Sequence, residues 1–217
     1  MLIEKISELK KLLMAEAGLV ENMVAMCFTG IKSVSGGSLE DVMVFETRVN
    51  QLEIEIENLC TRLIALYQPE AKDLRVILMI YKINNDLERL GDQAVNIAES
   101  SSILSGNPIL NLIPELMEMK VKALAMLKQS ITAFTNEDVE LSRQICHDDS
   151  IVDDLNRGIT AHLIELMKQS PQIIEDFLHV LRIAKNLERI ADLSTNIAEN
   201  TVYLAQGKVI KHHADAD

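Results

Sequence analysis

Apolar residues recur along this chain at intervals of three and four, the spacing of a buried helix face. Ile6, Leu9, Leu12, Leu13, Leu19 and Val20 show it first, and predict a helix from about Leu2 to Val34. Ser35, Gly36 and Gly37 break the pattern, and Ser38, with Asp41 three residues on, has the form of an N-cap. A second helix then runs to about Tyr67. Pro69 stands where a third would begin, ending near Leu104. Ser105, Gly106, Asn107 and Pro108 make the strongest break, near the midpoint of the 217 residues. Beyond it the plan repeats. A fourth helix is predicted over about Ile109 to Thr135. Asn136 is placed to cap a fifth that ends near Gln169, and Pro171 opens a sixth that stops at Gly207, a C-cap glycine.

The halves are related in sequence as well as in plan. Residues 87–99 read LERLGDQAVNIAE and residues 187–199 read LERIADLSTNIAE, with eight of thirteen positions identical at an offset of 100. That is too many for two unrelated amphipathic helices, so the chain carries an internal repeat. Two units follow, residues 1–106 and 107–217, each a three-helix bundle with short connections. Composition supports the all-α reading. Only 8 glycines and 4 prolines are present, too few for the turns of a β-rich fold.

Charge narrows the function classes. The net charge is −12, and no basic run offsets it, which argues against nucleic-acid binding and against anionic lipid surfaces. No signal peptide is visible, and the longest apolar stretch, Val76 to Tyr81, is far too short to insert in a bilayer. Cys27, Cys60 and Cys146 form no CxxC pair and read as reduced thiols of a cytosolic protein. No phosphate-cradling glycine loop, GxSxG or GxGxxG motif is present, and no nucleophile with its base is evident.

The acidic residues have a pattern of their own. On a helical wheel Ile83, Leu87, Leu90, Gly91, Ala94, Val95, Ile97 and Ala98 share one broad face, with Arg89, Gln93 and Asn96 opposite. Glu88, Asp92 and Glu99 line one edge of the apolar face, and Glu188, Asp192 and Glu199 repeat the arrangement. Carboxylates four residues apart are surface neighbours that repel each other. An isolated pair beside an arginine reads as a hydrated, salt-bridged face. Keeping the pair twice points to a cation. Partner stripes stand on the preceding helices, Asp149 and Asp153 on the fifth and Glu46, Asn50, Glu53 and Glu57 on the second. An offset of 103 matches Glu46 with Asp149 and Asn50 with Asp153, so the uncharged Asn50 weakens the first cluster. Bridging carboxylates suit multinuclear iron, manganese or magnesium. Gly91 and Ala191 would let a neighbouring helix come close. No histidine joins the pattern: Asp176 and His179 make a chance DxxH, and His212 and His213 lie in the polar tail.

The doubled LERxxDxxxNIAE motif resembles the paired signature of PhoU proteins, whose E(D)xxxD motif recurs once per repeat. QPEAKDLR at Gln68 to Arg75, the LKKLLMAEAGLVENM run and the ending GKVIKHH are similar to the same family, so the likeness covers essentially the whole chain. It implies two tandem three-helix bundles related by pseudo-twofold symmetry. It also implies a cytoplasmic, often homodimeric, non-enzymatic negative regulator of phosphate uptake and phosphate-regulon signalling. The implied partners are the phosphate ABC transporter ATPase subunit and a sensor histidine kinase. The implied cofactor is a multinuclear iron, zinc or manganese cluster held by Glu88, Asp92, Glu188 and Asp192, with Asp149, Asp153 and Glu46 as the matching acidic positions. Asn50 departs from the pattern where an acid is expected, and Leu193 where the second motif often has histidine. Two other readings of the same carboxylates stand beside this one, a carboxylate-bridged metalloenzyme and a metal-free structural adaptor.

Overall fold

The computed structural model of this protein describes residues 1–28 and 37–209. Among these residues it holds six α-helices and no strand: α1 (Leu2–Met26), α2 (Gly37–Tyr67), α3 (Ala71–Ile103), α4 (Glu115–Asn136), α5 (Val139–Gln169) and α6 (Ile174–Gln206). The expected break at Ser35 and Gly36, the Ser38 capping side chain, and the tail with His212 and His213 lie outside what is described.

Helices α1, α2 and α3 pack into one bundle and α4, α5 and α6 into a second. The bundles meet where α3 lies against α6 and α1 against α4. Each helix at the seam therefore faces its own counterpart, as a pseudo-twofold relation requires. Burial follows the same symmetry. Ile6, Leu9, Leu13, Ala17, Val20, Met23 and Val24 are buried on α1. Their partners at a constant offset of 110 are Leu116, Met119, Ala123, Leu127, Ser130, Ala133 and Phe134, all buried on α4. The core is aliphatic, with Ile56, Leu63, Ile77, Ile80, Ile83, Leu87 and Leu90 fully enclosed, and each such side chain contributes about 1.5–3 kcal/mol of burial free energy.

Four boundaries differ from the sequence reading. The first helix, expected to reach about Val34, ends at Met26 with Cys27 as its C-cap. Residues 108–112 form a short 3-10 turn, and α4 starts only at Glu115. Pro114 cannot donate a backbone hydrogen bond, and Asn107 caps the turn by accepting from the Ile109 amide at 3.0 Å, so the helix restarts there. Asn136 is the last residue of α4 rather than a cap, with Glu137 left-handed at φ 52°. Asp138 caps α5 instead, its carboxylate accepting from the Leu141 amide at 3.0 Å. Pro171 opens a 3-10 turn, after which α6 begins at Ile174. Gly207 does terminate α6 in the left-handed region, at φ +69°.

Gly91 lies where α1 and α2 approach α3. A Cβ at this position would meet Met23 Cε at 3.6 Å and Val49 Cγ1 at 3.7 Å, ordinary van der Waals distances. The close approach therefore does not demand glycine, and Ala191 fills the matching place on α6. Gly91→Ala is expected to raise unfolding free energy by about 0.5–1 kcal/mol through helix propensity, read by urea denaturation.

Candidate metal centre

The second bundle assembles what the sequence pattern predicts. Asp149 and Asp153 stand one turn apart on α5, and Asp192 comes from α6. Each offers a carboxylate oxygen, and the three lie within 4.8 Å of one another, the one such group among the described residues. Asp149 Oδ1 is shut off from solvent and has no partner in good hydrogen-bond geometry, although the Thr195 hydroxyl lies near enough to lower the carboxyl somewhat. Burial, then the charges of Asp153 and Asp192, push the Asp149 carboxyl up to about 6. Burial also raises Asp192, although its Oδ2 accepts from Arg189 Nη1 at 3.3 Å. Glu188 adds its charge to that of the triad but is ion-paired with Lys185. The last residue of the motif, Glu199, stands about two turns further along α6 from Asp192, beside Cys146 rather than in the triad.

These residues fit a cation. A buried, unpaired carboxylate oxygen costs free energy unless something positive meets it. A donor set made only of carboxylates suits manganese, iron or magnesium better than zinc, which favours nitrogen and sulfur. Asp149, Asp153 and Asp192 would hold the ion, and it would neutralise their mutual repulsion and tie α5 to α6. Binding must displace any proton on Asp149. Affinity for Mn²⁺ is therefore expected to fall about fivefold between pH 6 and pH 5, measurable by calorimetric titration.

The first bundle carries a looser version. Burial and then Asp92 raise Glu88, while burial and then Glu46 raise Asp92, so the expected residues share one electrostatic neighbourhood. They do not close into a group of the kind seen in the second bundle. Asn50 Nδ2 donates to Glu46 Oε1 at 3.1 Å, occupying one of the oxygens a cation would need. Glu57 accepts from the Tyr81 hydroxyl at 2.6 Å, and Glu99 from Arg182 at 2.7 Å, so both have turned to other partners. The DxxH aspartate is likewise engaged, Asp176 accepting from Asn107 at 2.8 Å.

One acidic residue was not singled out by the sequence pattern. Glu16 of α1 has no exposed surface, and neither carboxylate oxygen has a hydrogen-bond partner. Burial, then the charges of Glu53 and Glu88, push it up to about 9, so it is protonated at neutral pH. The signal was present: Glu16 stands three residues after Leu13 and four before Val20, on the buried face. Its counterpart by the offset of 110 is Met126.

The three cysteines are free thiols. Burial raises Cys27 and Cys60 to about 12 and Cys146 to about 11, which keeps them protonated and unreactive. No helix among the described residues is long and apolar enough to cross a membrane.

Fold and site together define an all-helical protein of two pseudo-symmetric bundles, each bearing a carboxylate stripe. The PhoU domain model matches residues 13–101 and again 116–201, once per bundle. The chain belongs to the PhoU family. It is 34% identical over 211 residues to a phosphate-specific transport system accessory protein PhoU homolog of Aquifex aeolicus, covering 97% of this chain and 96% of that one. A protein of the same description from Caulobacter vibrioides is 37% identical over 183 residues, 84% of this chain and 80% of the relative. The crystal structure of PhoU from Pseudomonas aeruginosa superposes with a TM-score of 0.89 at 29% identity, covering 96% of this chain and 100% of that one. That of the phosphate transport system regulatory protein PhoU from Streptococcus pneumoniae gives 0.88 at 28% identity, with 96% and 99% covered.

Proposed function

We propose that this chain is an accessory protein of a phosphate-specific transport system, acting as a non-enzymatic adaptor that restrains uptake and phosphate-regulon signalling. The observation that carries the reading is the family match falling once on each bundle, with an ExxxD pair at Glu88/Asp92 and again at Glu188/Asp192. Relatives matched over nearly their whole length are described as accessory proteins, which supports a contact role rather than catalysis. The partners are the ATPase subunit of the phosphate ABC transporter and a sensor histidine kinase, met in the cytoplasm by a homodimer. Residues 1–106 and 107–217 form the two units.

The metal role follows from where the acids stand. Asp149 and Asp153 lie on α5 and Asp192 on α6, so a cation among them stiffens the second bundle and fixes the surface it presents. Glu46, Glu88 and Asp92 serve the first bundle less strongly, because Asn50 replaces one charge and engages Glu46. Glu188, held by Lys185, completes the second group once a cation competes for it.

The test is binding of the purified chain to the transporter ATPase subunit, with and without Mn²⁺, together with a phosphate-starvation reporter in a bacterium lacking its own PhoU. The expected results are a stoichiometric complex and restored repression in high phosphate. No complex in either metal state, with the reporter unrepressed, would overturn the reading.

A further inference from the structure

The pseudo-twofold axis lets one end of the α3·α6 seam serve as a template for the other. At one end Arg182 of α6 donates from Nη2 to Asn96 Oδ1 at 2.6 Å and to Glu99 Oε2 at 2.7 Å on α3. A guanidinium thus pins α6 to α3 at that end, held by an amide oxygen and a carboxylate, beside a hollow of about 300 Å³ lined by Gln93, Lys185, Asn186, Glu188, Arg189 and Asp192. The offset of 100 carries Asn96 and Glu99 onto Asn196 and Glu199, and Arg182 onto Lys82. The acceptor pair is kept and the guanidinium is not. Among the described residues no hydrogen bond or ion pair joins Lys82 to Asn196 or Glu199. In place of that contact is a cavity of about 350 Å³, lined in part by Glu53, Lys82, Asn84, Asn196 and Asn200.

This end has also diverged toward polar lining. Tyr81, Asn84 and Asn200 stand where the pinned end has Leu181, Ala184 and Ser100. Asn84 is only 2% exposed, and its Oδ1 has no hydrogen-bond partner. Glu53 and Glu57 face the ammonium of Lys82 across the cavity, while Asp86 is ion-paired with Arg89, so the lining carries excess negative charge that disfavours anions, phosphate included. Acceptors outnumber donors, which suits a group that only donates. A second hollow of about 270 Å³ adjoins it, sharing Lys82 and Asn200, with Leu78, Met79 and Tyr203 as an apolar floor and Glu199 at its edge.

The geometry points to a docking site for an arginine side chain of a partner protein. Its guanidinium takes the place that Arg182 takes at the other end, against Asn196 and Glu199. An apolar neighbour on the same peptide lies on Leu78, Met79 and Tyr203. A planar fork of donors matches an amide oxygen and a carboxylate together, as an ammonium cannot. Val209 also lines the second hollow, and residues 210–217 include Lys211, His212 and His213 but no arginine. The inference needs no cation at the second-bundle triad and does not depend on the identity of the transporter partner.

The test titrates the full chain with N-acetyl-arginine amide, N-acetyl-lysine amide and a short Leu-Arg-Leu peptide, following side-chain amide NMR signals of asparagine. Arginine amide is expected to shift Asn196 and Asn200 saturably, with the lysine analogue at least fivefold weaker and the peptide at least fivefold tighter. Lys82→Arg supplies the missing guanidinium from within. It is expected to fold normally and to weaken binding at least tenfold, as should Asn196→Ala. Absence of saturable shifts, shifts confined to Asn96, or undiminished binding to both variants would overturn the proposal. Equal affinity for amide and peptide would remove the protein partner and leave only a small guanidinium ligand.

Discussion

Glu16→Met is expected to stabilise this protein by ~4 kcal/mol at pH 8, well above the pH at which an exposed carboxyl loses its proton. Glu16 titrates at about 9 in the folded chain, against an ordinary value of 4.5. The folded state therefore holds a proton that the unfolded state releases across that window. Stability conferred by the protonated form is full below pH 4.5 and is lost as pH rises toward 9, by up to about 1.4 kcal/mol per unit. Met has nearly the volume of Glu, and the symmetric position is already Met126, buried to 3% exposure on α4. Glu16→Gln removes the pH slope as well but keeps an unpaired polar group, so it should gain less. Urea denaturation between pH 5 and pH 9 checks both. A wild-type stability that does not decline across that range would show that Glu16 is not the buried acid described.

Saturation with Mn²⁺ is expected to stabilise the wild-type chain by about 2–3 kcal/mol at a hundredfold excess over its dissociation constant. The triple variant Asp149→Asn, Asp153→Asn, Asp192→Asn should gain almost none of this. Without metal the order reverses. The triad carries unrelieved repulsion and burial, and its removal should stabilise the apo chain by on the order of 1 kcal/mol, since these groups are half exposed and solvent screens them. A crossing of the two stabilities as Mn²⁺ is added distinguishes a cation site from a salt-bridged face, which would only lose stability on mutation. Thermal unfolding with and without EDTA reads both arms.

The repeat was legible because LERxxDxxxNIAE recurs intact, and helical spacing carried Glu88 and Asp92, or Glu188 and Asp192, onto one edge. What spacing cannot give is the third dimension. Glu99 lies eleven residues from Glu88, about 16 Å along a helix, and is drawn to Arg182 on the other bundle. That pairing spans 83 residues and has no local signal. The correspondence of the α2 stripe with the α5 stripe was legible at an offset of 103, yet only the second bundle closes its acids into a group. Asn50 explains the difference, and its single amide was visible in the sequence. Glu16 was overlooked because a charge reads as a solvent marker, although its spacing from Leu13 and Val20 put it inside. The misplaced starts of α4 and α5 follow from Pro114 and Asp138, where local capping outweighed the periodicity.

The central claim, that the duplicated carboxylate stripes hold cations in the second bundle above all, is tested most directly by metal content. Protein purified without a metal-affinity tag would be analysed for elements per chain, beside Asp149→Asn with Asp192→Asn. The account predicts bound manganese or iron in the parent and loss of the larger share in the variant. Equal metal in both proteins, or a metal-free parent that still fails to take up Mn²⁺ on titration at pH 7, would contradict it.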